Sequence, residues 1–377
     1  MSACELKESL DVVLNFAQDD KYTVLIVDDE ENNLQLLKRT FRGKYNLLTA
    51  HNGVEALEVV KEHGDKIALI VSDQKMPVME GTEFLQKVRE THPQIVKILL
   101  TGHVGTDILV SAINDCDLFQ YILKPFEPEE LKIAVENGVA KFSMASNNKV
   151  YYKELRELFY KTIRAISNAL DTRDAYTNGH SLRVTLYSMI LSKELGLDAT
   201  FMEDIEIAGL LHDIGKIAMP KSILCKNGKL TDEEFVVMKS HPVLGEKIVV
   251  NIKKLQIISE WVKAHHEKWN GTGYPDGLKG EQIPLASRII ALADTYDAMT
   301  STRPYRTALS HETAISEIQR CIGSQFDPDL ATKFVSIANI IDEARKNPEE
   351  YYQKYSFLVK NIDFKISSEA SRATQAN

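Results

Sequence analysis

TVLIVDD, residues 23–29, is a short apolar run that ends in two acids. Four more runs of that kind follow: YNLLTA at 45–50, IALIVSD at 67–73, IVKILLTG at 95–102 and FQYILKP at 119–125. Between them apolar residues recur at helical spacing, as in Phe84, Leu85 and Val88. Alternating strands and helices predict a parallel sheet covered on both faces. Ligand sites in such sheets form beyond the carboxyl ends of the strands. Polar residues fall there: Asp28 and Asp29 after the first strand, Asp73 after the third, Thr101 after the fourth and Lys124 after the fifth. Three carboxylates at one sheet edge repel unless a cation sits among them, and oxygen ligands suit Mg²⁺. One strand-end Asp alone reads as a turn or cap residue; five polar residues at matching strand ends do not.

This constellation resembles the receiver domain of two-component response regulators across about residues 20–140. The resemblance implies that Asp28, Asp29 and Asp73 hold Mg²⁺ and that Asp73 accepts the phosphoryl group. It implies that Thr101, Tyr121 and Lys124 form the switch. Met76-Pro77 and Lys124-Pro125 fit the same pattern. A phosphorylated carboxylate gains charge and acceptor oxygens, so Thr101 and Lys124 can be drawn toward it. A sensor histidine kinase is the implied partner.

The chain has 377 residues, more than one core usually serves. Its 45 basic and 54 acidic side chains leave a net charge of −9, which argues against coating a nucleic-acid polymer. Cys4, Cys116, Cys225 and Cys321 make no CxxC pair, so neither a disulfide framework nor a thiolate zinc site is expected. The start, MSACELKESLDVVL, lacks a basic segment followed by an apolar one, and no apolar run has membrane-spanning length. A cytoplasmic protein without membrane insertion is expected.

From Glu127 the pattern is helical through Leu131, Ala134, Val135, Val139 and Phe142, and resumes at Tyr151, Leu155, Leu158, Phe159 and Ile163. SMASNN, residues 143–148, weakens the pattern, so one long helix is expected, with a break near Asn147 as the alternative. The apolar residues read either as a homodimer seam or as packing on the helix's own domain.

The second half is mainly helical, with amphipathic stretches at 182–195, 201–212, 232–250, 255–266 and 286–299. His180, His212-Asp213, His241, His265-His266 and Asp294 form an ordered series, whereas His311 reads as structural. Imidazole and carboxylate ligands suit Fe, Mn, Zn, Co or Ni. Lys216 follows His212 by four residues and Asp213 by three, which predicts one shared helical face. A cation beside metal ligands makes sense if an anion sits on the metal. The loop WNGTGYPDG, 269–277, is a tight turn whose glycines let backbone approach a ligand. Arg288, Arg303 and Arg306 read as surface ion pairs or as bidentate phosphate contacts.

Taken in order, HDIGK at 212–216, HPVLG at 241–245, HHEKWNGTGYP at 265–275 and RPYR at 303–306 resemble the HD-GYP domain. This is the helical subclass of HD metal-dependent phosphohydrolases that cleave cyclic di-GMP. The implied organisation is an extension at 1–20, a flavodoxin-like α/β receiver at 21–140 and a helical linker at 141–160. An all-α HD-type domain at 161–355 and a tail at 356–377 complete it.

The resemblance implies a binuclear centre of Fe or Mn, with Zn, Co and Ni as alternatives. His180, His212, Asp213 and Asp294 would hold one ion, and Asp213 would bridge to a second held by His241, His265 and His266. Paired ions can supply a nucleophile and stabilise the phosphoryl oxygens. Asp213 and Lys216 are the implied catalytic residues, Lys216 offsetting charge on the phosphate. Gly273, Tyr274, Pro275, Arg288, Arg303 and Arg306 are the other implied substrate contacts. Some family members bind a third metal through a Glu four residues before the first His. Tyr176 stands there, which implies two metals and pGpG as the main product. The expected function is cyclic di-GMP hydrolysis under control of Asp73 phosphorylation. A non-catalytic cyclic di-GMP sensor and a phosphodiesterase for another cyclic dinucleotide are the alternatives.

Overall fold

The computed structural model describes residues 21–102, 115–173, 179–226, 228–302 and 307–356. The chain divides into two compact units between Tyr152 and Lys153. In the first, five strands run β1 (Thr23–Val27), β2 (Asn46–Ala50), β3 (Ile67–Asp73), β4 (Val96–Thr101) and β5 (Gln120–Leu123). All pairs are parallel, in the order β2-β1-β3-β4-β5. β3 is central and all seven of its residues are buried, which is why its first five, IALIV, are apolar.

Side chains alternate between two cores, as the pleat dictates. Val24, Ile26, Leu69, Val71, Ile98 and Leu100 face one core, with Leu34 and Leu37 of helix Glu31–Phe41. Leu25, Val27, Ile70 and Leu99 face the other, with Ala56 of helix Gly53–His63 and Phe84 of helix Gly81–Thr91. The strand order reverses at β1 and β3, so the ends of these strands border a crevice. Asp28 and Asp73 are placed there.

The connector is the long helix that was expected, without the alternative break near Asn147. Residues Pro128–Arg173 form one helix of 46 residues, running straight through SMASNN. Ser and Asn each cost a helix only about 0.5 kcal/mol relative to Ala, and no Pro or Gly lies in that stretch to add more. The packing reading holds for the apolar residues near both ends of the helix, while those between them face solvent. Leu131, Ala134, Val135 and Val139 are buried against the sheet, and Tyr160 and Ile163 join the helical core. Met144, Tyr151, Leu155 and Leu158 are exposed.

In the second unit helix His180–Glu194 is the hub. It packs on Ala199–Leu211, on Leu285–Thr300 and on Pro348–Tyr355. The expected helix 232–250 is two helices, Asp232–Met238 and His241–Val249. Pro242 supplies the reason: it sits in the first turn of the second helix, where its missing N–H costs nothing.

A candidate binuclear metal centre and a receiver site

Four clustered histidines of the second unit are aimed by what their Nδ1 meets. His212 Nδ1 donates to Gly209 O at 2.7 Å, His241 Nδ1 to Met238 O at 2.8 Å and His265 Nδ1 to Val262 O at 2.5 Å. A carbonyl can only accept, so Nδ1 carries the proton and Nε2 is left as a donor of electrons. The three contacts share one device, a helix-terminal imidazole folded back onto the carbonyl three residues earlier. His180 is held differently. Its Nδ1 lies 2.8 Å from Asp297 Oδ2, and Asp297 is fixed by Arg183, whose Nε donates to Oδ1 at 2.6 Å.

The Nε2 atoms then converge on Asp213. Its Oδ2 lies 3.7 Å from His180 Nε2 and 3.4 Å from His212 Nε2, while its Oδ1 lies 3.3 Å from His241 Nε2. One oxygen thus faces each group of histidines. His180, His212 and Asp294 form one cluster; Asp213, His241, His265 and His266 form another. His180 Nε2 is 3.4 Å from Asp294 Oδ1, and His241 Nε2 is 3.4 Å from His265 Nε2. Donors separated in this way suit a shared ion about 2.1 Å from each.

Three further observations fit metal ions. His212 Nε2 is buried without a hydrogen-bond partner, its Asp213 contact being too poorly directed. His265 and His266 are held well below the ordinary imidazole pKa by burial and by neighbouring histidines, which keeps them in the ligating form. Burial opposes a charged His212, but the Asp213 carboxylate wins and raises it to about 9. A proton thus takes the place that a metal cation would claim. Burial also opposes the Asp213 charge, but Lys216 and His212 hold its pKa well below the carboxylate range.

Lys216 Nζ is 2.6 Å from Asp213 Oδ2, although not across an α-helical face as expected. Helix Ala199–Leu211 ends before His212, and residues 214–218 form a tighter 3₁₀ turn. That turn presses on the helix bearing His241. A Cβ on Gly215 would lie 1.9 Å from His241 O, so only glycine fits.

Gly273 is required by the fold of its own loop. A Cβ there would lie 2.4 Å from Glu267 Cα, so the glycine admits its own chain. Glu267 Oε1 shapes the loop, accepting from Asp276 N at 2.7 Å and Gly277 N at 3.0 Å. Tyr274, followed by Pro275, packs its ring 4.9 Å from that of His266. Arg288 Nη1 donates to Asp327 Oδ2 at 2.6 Å, the structural one of its two expected roles. His311 pairs with the Tyr296 hydroxyl at 2.8 Å. Arg303, Arg306 and Tyr176 lie outside the described residues. Asp297 and Arg183 were not singled out from sequence. Their signal was spacing: each lies three residues beyond a ligand, Asp294 and His180, on a helix.

In the first unit Asp28, Asp29 and Asp73 bring ligand oxygens within 4.8 Å of one another. Lys124 Nζ lies 2.8 Å from Asp73 Oδ1 and 3.3 Å from Asp28 Oδ2. Burial raises the Asp73 pKa, against the pull of Lys124. Asn33 Nδ2, unnoticed in the sequence, donates to Asp28 Oδ1 at 3.0 Å. Thr101 is buried at the end of β4, and Tyr121 is exposed on the edge strand β5.

Comparison with known proteins agrees with this architecture. Residues 24–136 match the response regulator receiver domain, and residues 164–330 match the HD domain. A cyclic di-GMP phosphodiesterase of Thermotoga maritima is 30% identical over 350 residues, covering 87% of this chain and 94% of the relative. The cyclic di-GMP phosphodiesterase response regulator RpfG of Xanthomonas campestris is 32% identical, covering 81% and 85%. A 3′3′-cGAMP-specific phosphodiesterase of Vibrio cholerae is 37% identical over 179 residues, 47% of this chain and 34% of the relative. The chain belongs to the family of response regulators that join a receiver domain to a metal-dependent HD phosphodiesterase domain. No helix among the described residues is long and apolar enough to cross a membrane.

Proposed function

We propose that this chain is a cytoplasmic response regulator whose phosphorylation at Asp73 controls hydrolysis of cyclic di-GMP, mainly to pGpG. The carrying observation is the pair of ligand clusters on either side of Asp213, with Lys216 against the same carboxylate. Bound there, two divalent ions, Fe or Mn first among the candidates, would supply an activated water and offset phosphate charge. His180, His212 and Asp294 would hold one ion, His241, His265 and His266 the other, with Asp213 between them. Lys216 then binds the attacked phosphodiester as substrate replaces its Asp213 contact. Water adds to one phosphorus, the P–O3′ bond breaks, and the ring opens to a linear dinucleotide. Mg²⁺ at Asp28, Asp29 and Asp73 would serve phosphoryl transfer from a sensor kinase.

The test is incubation of purified, metal-loaded protein with cyclic di-GMP, followed by chromatography. Linear product is expected; its absence with every metal tried refutes the reading. The cGAMP-specific relative favours a second reading, in which a mixed A and G ring is the preferred substrate. A substrate panel separates the two. Tight binding of both rings without turnover identifies a sensor instead. For the switch, Asp73→Asn is expected to abolish labelling by acetyl phosphate while leaving metal content unchanged; retained labelling identifies another acceptor. The exposed Met144, Tyr151, Leu155 and Leu158 support a homodimer through the connector, which light scattering tests.

A further inference from the structure

A cyclic dinucleotide carries two phosphodiesters on one ring. When one lies against the metal ligands, the other needs a cation of its own nearby. Most basic side chains around the clusters are committed to carboxylates. Lys216 lies 2.6 Å from Asp213, Arg183 2.6 Å from Asp297, Arg288 2.6 Å from Asp327 and Lys263 2.8 Å from Asp276.

Lys239 is different. It sits at the break between helices Asp232–Met238 and His241–Val249, two residues before His241. Its Nζ lies 4.8 Å from the Phe235 ring centroid and 5.4 Å from that of Tyr274, with no carboxylate partner among the described residues. Two aromatic faces hold the charge in place without neutralising it. Tyr274 in turn stacks on His266, so the ammonium stands only two ring contacts from the metal ligands. A lysine ending a helix also gains from the helix dipole, but that gain needs no aromatic cradle.

From this placement we infer that Lys239 binds the second, non-reacting phosphodiester of the cyclic dinucleotide, with Tyr274 and Phe235 fixing its position. The inference rests on the proposed activity and adds a substrate contact to it. A contact of this kind adds binding without changing the reacting phosphate, so its loss shows in KM.

Lys239→Met keeps the apolar stem against both rings and removes the charge. The measurement compares kcat and KM for cyclic di-GMP and for bis(p-nitrophenyl) phosphate, which has only one phosphodiester. We expect KM for cyclic di-GMP to rise about tenfold, the loss of one charge-assisted contact. The kcat/KM preference for cyclic di-GMP over the small ester should fall by the same factor. Lys239→Arg should restore most of it, and metal content by mass spectrometry should match wild type in both variants. An unaltered KM, or equal losses on both substrates, overturns the inference while the activity stands. Failure of the wild type to bind or cleave cyclic di-GMP overturns the activity and this contact with it.

Discussion

Asp297 shows how one unexposed carboxylate can govern a metal site that it does not touch. Buried and gripped by Arg183, it accepts from His180 Nδ1 and so fixes which nitrogen faces Asp213 and Asp294. Removing such a support commonly costs 10- to 100-fold in metal affinity, and about that loss is expected for Asp297→Leu. Metal titration followed by mass spectrometry checks it; unchanged affinity with intact folding would falsify the role. The His212 proton makes a second residue-scale prediction. With a pKa of about 9, His212 is charged at neutral pH in metal-free protein, and the ion must displace that proton. Apparent metal affinity should therefore fall as pH drops below about 9, and binding should release protons. Calorimetry in buffers of different ionisation enthalpy reads the release directly; no buffer dependence contradicts it. The residues that cluster as candidate ligands were legible in the sequence because their chemistry is in the residue type. The supports were not: Asp297 and Arg183 are ordinary surface-type residues until the fold closes over them.

At the scale of elements, the connector helix is tied to the helix that leads into His212-Asp213. Arg156 pairs with Glu203 at 2.7 Å. One turn on, the fully buried Glu206 accepts hydroxyl protons at Oε1 from Tyr160 at 2.9 Å, Tyr352 at 2.7 Å and Ser356 at 2.6 Å. Near the connector's end, Asp171 accepts from Ser181 Oγ at 2.7 Å, beside His180, and Arg173 Nη2 donates to Met219 O at 3.1 Å. An intramolecular hydrogen bond contributes about 0.5–1.5 kcal/mol, so Tyr160→Phe should destabilise the helical unit by about that much. Denaturant unfolding measures it, and an unchanged midpoint removes Tyr160 from the network. The sequence left one helix break open here and missed another. The SMASNN stretch looked like a break but contains no residue that forces one. Pro242 does force one, yet the apolar periodicity ran on either side of it and masked the stop at Lys239.

Over the whole molecule, the parallel sheet and the all-helical unit were both readable, because apolar strand runs and helical spacing reflect burial directly. The reach of one helix from Pro128 to Arg173 was less so, since its middle is exposed and its pattern fades. This helix is the covalent link between the two units, so the proposed control by Asp73 phosphorylation is expected to depend on it. Asn147→Pro, which costs a helix interior about 3 kcal/mol, should leave both units folded and metal loaded but make turnover insensitive to acetyl phosphate. Retained phosphate control in that variant excludes that dependence.

The most direct test of the account is the metal content of the purified full chain, measured by mass spectrometry beside a variant lacking both His265 and His266. The account predicts two divalent ions per wild-type chain and one in the variant, because only the cluster beyond Asp213 loses its ligands. A wild-type chain that binds no ion, or one that loses none when those histidines are removed, contradicts it.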